Sequence, residues 1–237
     1  MMKKNHSLWD VCLKVTKVAI HQPNFLPWLG YFYKIHLCDV FVILDDVQYT
    51  KNSHINRTQI LSNSGKQWLT VPIKKPHLKD LIKDVDIFKN EHINNLHKTV
   101  KGFYNKSAHY KDIPEMLFIL ENIRNYTKLI DVNCDFLKLL ISKWFPQKRI
   151  EFSSTYNLTT SGEERIIDLV KSVGGNEYLS GNGARNYQNE GFFSDKRISL
   201  SYINYPTFNY QSISTNTICK PSILDYLACH GYKNPFM

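Results

Sequence analysis

The stretch from Val18 to Arg57, VAIHQPNFLPWLGYFYKIHLCDVFVILDDVQYTKNSHINR, constrains this chain more than any other. Val18, Ala19 and Ile20 form an apolar run too short to bury a helical face. His21-Gln22-Pro23-Asn24 stops it, and Pro27 continues the turn chemistry. Trp28 to Leu37 then places apolar residues at helical intervals. Val40 to Leu44 reads as a second buried strand that runs straight into Asp45 and Asp46. Strand, loop, helix, strand is the unit of a parallel sheet, and such sheets gather their binding groups beyond the carboxyl ends of the strands. His21 through Asn24 and Asp45 through Arg57 therefore fall on one rim of one sheet.

The rest of the chain extends the same alternation. Gln67 to Ile73 reads as a further strand, with Asn63-Ser64-Gly65 turning it back on Thr58 to Leu61 as a hairpin. Pro76 to about Trp144 reads as almost entirely helical. Pro114 suits a first helical position, and Leu117, Leu120 and Ile123 mark one face. Phe136, Leu137, Leu140, Ile141 and Trp144 mark another, and Pro146 ends that helix. Ile150 to Ser153 returns to the sheet. Ser161-Gly162-Glu163-Glu164 has the form of a capping box before the stripe Ile166, Ile167, Val170, Val173, and Gly174-Gly175 closes the helix. Glu177 to Leu179 is a strand breaking into Ser180-Gly181-Asn182-Gly183, Arg197 to Ile203 is another, and Ser222 to Gly231 is a short helix. The expected fold is α/β, a Rossmann-like, mostly parallel sheet with a helical insertion at about 76–146. Residues 1–16 read as an N-terminal extension and 17–237 as a single domain.

No run of the 237 residues approaches the length needed to cross a bilayer, and the first sixteen lack the apolar core of a signal peptide. Five cysteines, at 12, 38, 134, 219 and 229, have neither metal-site nor disulfide spacing, so reduced thiols in a cytoplasmic protein are expected. His92 and His97 have no carboxylate at ligand spacing, and no structural metal is expected. A net charge of +9 favours anionic partners, although the lysines are dispersed and a solvated basic surface explains as much.

HQPNFLPWLGYFYKI, DVFVILDDVQYTKNSHINR and WLTVPI resemble the WbqC-like protein family, as do EYLSGNGARNY, ISLSYINYPTFNYQ and PSILDYLACHGY. The resemblance runs from about Lys17 to Gly231. It implies a bacterial role in making O-antigen or related surface glycans and supplies no reaction by itself. The spacing PNFLPWLGY also resembles the loop of HIGH-type nucleotidyltransferases. Tyr31 and Phe32 stand where a histidine would follow Gly30, so that likeness implies a nucleotide-binding α/β shape and puts adenylyl transfer in doubt.

Three constellations carry the candidate chemistry. His21, directly after a strand, with Gln22, Asn24 and Tyr31, suits phosphate binding or proton transfer. Asp45 and Asp46 point to opposite sides of an extended chain, so one caps a loop while the other faces the cleft. Asp46 is the candidate catalytic carboxylate beside His21, with Asp45, Lys51, Asn56 and Arg57 for sugar or phosphate contacts. Ser180, Gly181, Arg185 and Tyr187 form a glycine-rich turn that lets backbone amides approach an anion. Each set has a bland alternative, a loop that merely satisfies itself. The leading expectation is a transferase acting on a nucleotide-activated amino sugar, with acyl or aminoacyl transfer to the sugar amine and charged tRNA among the donors. No motif names a cofactor. The competing expectations are a non-catalytic nucleotide-sugar binding protein of the same pathway and, more weakly, an RNA binder. All three constellations are expected to line a single cleft.

Overall fold

A computed structural model describes residues 15–62, 65–77, 79–213 and 221–237. In chain order the elements are β1 (Lys17–His21), α1 (Leu29–Leu37), β2 (Val40–Ile43), β3 (Arg57–Ser62) and β4 (Gly65–Thr70). Then come α2 (Glu91–Tyr104), α3 (Pro114–Glu121), α4 (Leu129–Trp144), β5 (Arg149–Phe152) and α5 (Gly162–Ser172). The last are β6 (Glu177–Gly181), α6 (Glu190–Asp195), β7 (Ser199–Ile203) and α7 (Ile223–His230).

Five strands form one parallel sheet in the order β5-β2-β1-β6-β7, the Rossmann-like α/β arrangement expected. The chain winds outward from β1 through β2 to β5, then crosses back to the other side of β1 for β6 and β7. The order therefore reverses between β1 and β6.

Alternation along the strands builds a core on each face. Val18, Ile20, Val40 and Val42 pack with Ile167, Leu169 and Val170 of α5 and Phe193 of α6. Ala19, Phe41 and Ile43 face the other way, into Phe32 and Ile35 of α1 and the α2–α4 insertion. The insertion docks through rings: Phe136 lies 5.8 Å from Phe25 and Trp144 lies 5.3 Å from Phe32. Gly175 is forced by packing, because a Cβ there would stand 2.2 Å from Val18 Cγ2.

Several local expectations are corrected. The described residues of 76–90 are irregular, with a turn closed by Asp80 N–H on His77 O and one short 3₁₀ turn at Ile82–Asp84. They are held by single bridges, Gln48 to Leu81, Ile73 to Ile87 and Asp86 to Lys128, so the helical block starts at Glu91. Ser161 is the N-cap of α5, but its side chain makes no capping hydrogen bond; positive φ at Gly162 leads the chain into the helix instead. The β3–β4 hairpin forms its own antiparallel sheet, apart from the main one. Residues 1–14 of the expected extension and Asn63-Ser64 of the expected turn lie outside the described residues. No helix among the described residues is long and apolar enough to cross a membrane.

Candidate functional site

The loop after β1 is clamped along its length. The Phe25 N–H donates to His54 O at 2.9 Å. Asn133, fully buried on α4, donates to Pro23 O at 2.9 Å and Ile55 O at 2.8 Å. The Thr58 and Ser222 hydroxyls both donate to Leu26 O at 3.0 Å, and the Tyr31 hydroxyl donates to Gln22 O at 3.1 Å. Leu26 sits at φ +42, a left-handed conformation that a branched side chain keeps only when its surroundings impose it. Buried side chains from β3, α4 and α7 supply that constraint.

His21 closes β1 at the start of this loop. Its Nδ1 lies 3.0 Å from Gln22 O, and a carbonyl only accepts, so Nδ1 carries the proton and Nε2 keeps its lone pair. The ring meets the Tyr31 ring edge-on at 4.7 Å. Burial first, and then the nearby Lys34 charge, lower the imidazole pKa to about 4. His21 is therefore a neutral acceptor near pH 7.

Beside it one ladder of the sheet ends early. β1 and β2 stay in register over four residue pairs, Val18↔Val40 to His21↔Ile43, whereas β1 and β6 share only Lys17↔Glu177 and Val18↔Tyr178. Beyond Val18 the ladder between the two strands ends, at the place where strand order reverses. In open α/β sheets that crevice is where ligands bind. The Leu44 N–H takes the His21 carbonyl on the β2 side at 2.8 Å. Carbonyls alternate along a strand, so Ile20 O faces the β6 side. Lys34 Nζ donates to it at 2.8 Å, reaching back from α1, with the Tyr178 ring 6.0 Å away. Lys34 is only 3% exposed, and no carboxylate forms an ion pair with it among the described residues. Burial lowers its pKa to about 8.

Lys34 was not among the expected site residues. The signal lay in the sequence: it stands at i+3 from Tyr31 and next to Ile35, on the apolar face of LGYFYKIHL. On β6, Ser180 is 1% exposed, and its Oγ lies by the Tyr178 hydroxyl without a hydrogen bond of good geometry to any partner. Gly181 ends β6 half-buried, and a Cβ there would meet only the Tyr205 hydroxyl, at 3.5 Å.

The carboxylates after β2 sit on the far side of the rim, against the end of β5. Asp45 is 4% exposed and accepts from Ser153 Oγ, Ser154 N and Ser154 Oγ at 2.9, 2.9 and 2.7 Å. Asp46 pairs with Arg165 Nη2 at 2.6 Å, with both side chains about 10% exposed, and lies 2.5 Å from Ser153 Oγ, whose single proton the two aspartates share. Burial works to raise the Asp46 pKa, but the Ser153 and Arg165 hydrogen bonds and the Arg165 charge outweigh it, and the net direction is down. Asp46 is thus ionised but saturated. The expected division between the two aspartates gives way to one in which both brace the loops.

The remaining candidates spread out. Lys51, Asn56 and Arg57 line their own cavity of about 240 Å³, with Tyr49, Thr70 and Pro76. Asn56 is committed internally, to Val71 O at 3.0 Å and the Tyr49 hydroxyl at 2.9 Å. Arg57 donates to Asn52 O and stacks over Trp68 at 4.2 Å. Arg185 is exposed and lies over the Tyr202 ring at 5.2 Å; Tyr187 is 85% exposed. Gln22 and Asn24 are half-buried in the clamped loop. The candidates therefore follow strand ends of one sheet but form separate groups, with His21 and Lys34 at the end of β1 and Ser180 and Gly181 at the end of β6, past the last β1–β6 pair.

The chain belongs to the WbqC-like protein family, whose match spans residues 22–235. It is 31% identical over 221 residues to "Uncharacterized protein Rv1507c" of Mycobacterium tuberculosis, covering 92% of this chain and 96% of that one. No solved structure matches it.

Proposed function

We propose that this WbqC-like chain binds a nucleotide-activated amino sugar in the β1–β6 crevice and transfers an acyl or aminoacyl group to its amine. The observation that carries the reading is the crevice itself. The strand order reverses there, and a neutral histidine with an open Nε2 stands at its edge. In such a transfer the sugar nitrogen attacks the donor carbonyl, the C–N bond forms and the bond to the leaving group breaks. The attacking nitrogen becomes strongly acidic only as the bond forms. An imidazole that is neutral beforehand keeps a lone pair for that proton, and with its pKa lowered to about 4 it is a weak base that passes the proton on to the leaving group. His21 is assigned that role. The net charge of +9 suits anionic substrates, including a charged tRNA donor.

A second reading, a nucleotide-sugar binding protein without catalysis, draws support from Asp46. With that carboxylate held by Arg165 and Ser153, the crevice has one proton-handling group fewer than expected. One experiment separates the two. Purified protein is incubated with nucleotide-linked amino sugars and with acyl thioester or aminoacyl-tRNA donors, and products are read by mass. A new adduct that disappears in His21→Ala while nucleotide-sugar affinity persists supports the transferase. Nucleotide-sugar binding with no adduct from any donor supports the binding protein, and absence of both refutes the proposal.

A further inference from the structure

Lys34 is the residue that the fold has least reason to keep. Its position on α1 faces the core, where a leucine or methionine would pack without electrostatic cost. Instead an ammonium is buried to 3% exposure, with no carboxylate paired to it among the described residues. Buried lysines in stable cores are normally paired, because desolvating a lone charge is among the costliest things a fold can do. The charge sits just past the last β1–β6 pair, on the Ile20 carbonyl that would face β6 if the ladder continued. Lysine side chains on a helix lean toward its N-terminus, so Nζ is carried toward the rim.

The surroundings repeat the pattern of unmet demand for an anion. Ser180 Oγ, on β6 beside Tyr178, whose ring lies 6.0 Å from Lys34 Nζ, is buried without a well-formed hydrogen bond and can donate. α1 opens on the same rim with no acidic residue in its first turn and no side chain capping it. Gly181 has no side chain of its own, and the Tyr205 hydroxyl, a further donor, stands beside it. His21, kept neutral, offers no competing positive charge and no negative one. The geometry points to Lys34 as the residue that receives phosphate oxygens, those of the substrate's diphosphate, with Ser180 donating from the opposite strand. This rests on the crevice being the nucleotide-sugar site and adds the group that holds the phosphates.

The lowered pKa agrees in sign, since an anion beside the ammonium favours its charged form and would return the pKa upward. The test is calorimetric titration of the full chain with inorganic pyrophosphate, uridine diphosphate and uridine, for wild type, Lys34→Met and Lys34→Gln. Loss of a charge-assisted contact should weaken both diphosphate probes by about ten- to a hundredfold in each variant and leave uridine unchanged. Glutamine keeps a donor for Ile20 O without the charge. If Lys34→Gln binds both diphosphates as wild type does, the lysine is only a tie for that carbonyl and the assignment falls. That result would leave the nucleotide-sugar reading standing.

Pyrophosphate and uridine diphosphate weakened equally identify the diphosphate itself as the ligand group. Weakening of uridine alone overturns the assignment. No binding of any probe to wild type overturns both this assignment and the crevice reading. Should the variants not fold, wild type labelled at lysine Cε decides by NMR titration. Pyrophosphate must raise the Lys34 pKa, and an unmoved titration refutes the inference.

Discussion

The lock at the β2–β5 end of the rim yields the sharpest quantitative expectation. Asp46 and Arg165 meet at 2.6 Å with each side chain about 10% exposed, and Arg165 Nη1 also donates to Leu158 O at 2.8 Å and Thr160 O at 3.1 Å. At an effective dielectric constant of about 20, two unit charges at that separation attract by roughly 6 kcal/mol. Desolvation consumes much of this, and severing a buried pair typically costs about 3–5 kcal/mol. Asp46→Asn should destabilise the fold by about 2–4 kcal/mol, because the amide keeps a hydrogen bond and loses the charge. Arg165→Met should cost about 3–5 kcal/mol, since it also strands Asp46 and two backbone carbonyls. A urea-unfolding double-mutant cycle should return a coupling of about 2 kcal/mol or more.

The pH dependence has a fixed sign. The folded Asp46 pKa is depressed below its unfolded value, so the contribution is fully present above the carboxylate range and is lost as pH falls through the folded pKa. Below about pH 4 wild type should lose stability more steeply than Asp46→Asn. A coupling under about 0.5 kcal/mol would refute the lock. So would an Asp46→Asn protein of normal stability that has lost transfer activity, and Asp46 would then return as the proton-handling carboxylate.

Further outcomes follow from the clamped loop and the crevice. In a proton NMR titration His21 should show no protonation step between pH 8 and 5.5 and should titrate near 4; a midpoint at 6 or above refutes its burial and the influence of Lys34. Because its folded pKa lies below the unfolded one, His21 removes stability as pH falls from about 6.5 and stops doing so below the folded value, opposite in cause to Asp46 but in the same direction. Gly30→Ala would place a Cβ 2.1 Å from the Trp28 ring, so it should cost about 1–3 kcal/mol and shift Trp28 fluorescence; a neutral result means the ring moves aside freely. Asn133→Ala leaves Pro23 O and Ile55 O without their buried donor, and a loss of about 2–4 kcal/mol with faster amide exchange at Phe25 is expected. Unchanged exchange there would show that the loop holds without it.

The sequence by itself determined the local elements and which side of the sheet they serve. Short apolar runs bounded by turn residues gave β1, β2, β6 and β7, and helical spacing gave α1, α4, α5 and α7, because period and length are properties of neighbouring residues. That His21, Asp45 and Ser180 would share a rim also followed, since parallel strands put their carboxyl ends together. What neighbours cannot encode is which distant strand lies beside which. The placement of β6 against β1, and the end of their ladder after Val18↔Tyr178, belong to the tertiary structure, and so does the burial of Lys34 against Ile20 O beside it. The roles of Asp45 and Asp46 were likewise set by Ser153, Ser154 and Arg165, more than a hundred residues away. The segment 76–90 read as helix because nothing in its sequence shows its partners. Single bridges to Gln48, Ile73 and Lys128 hold it instead. A side chain's type limits what it can do, but its protonation and availability depend on partners that only the folded chain brings within reach.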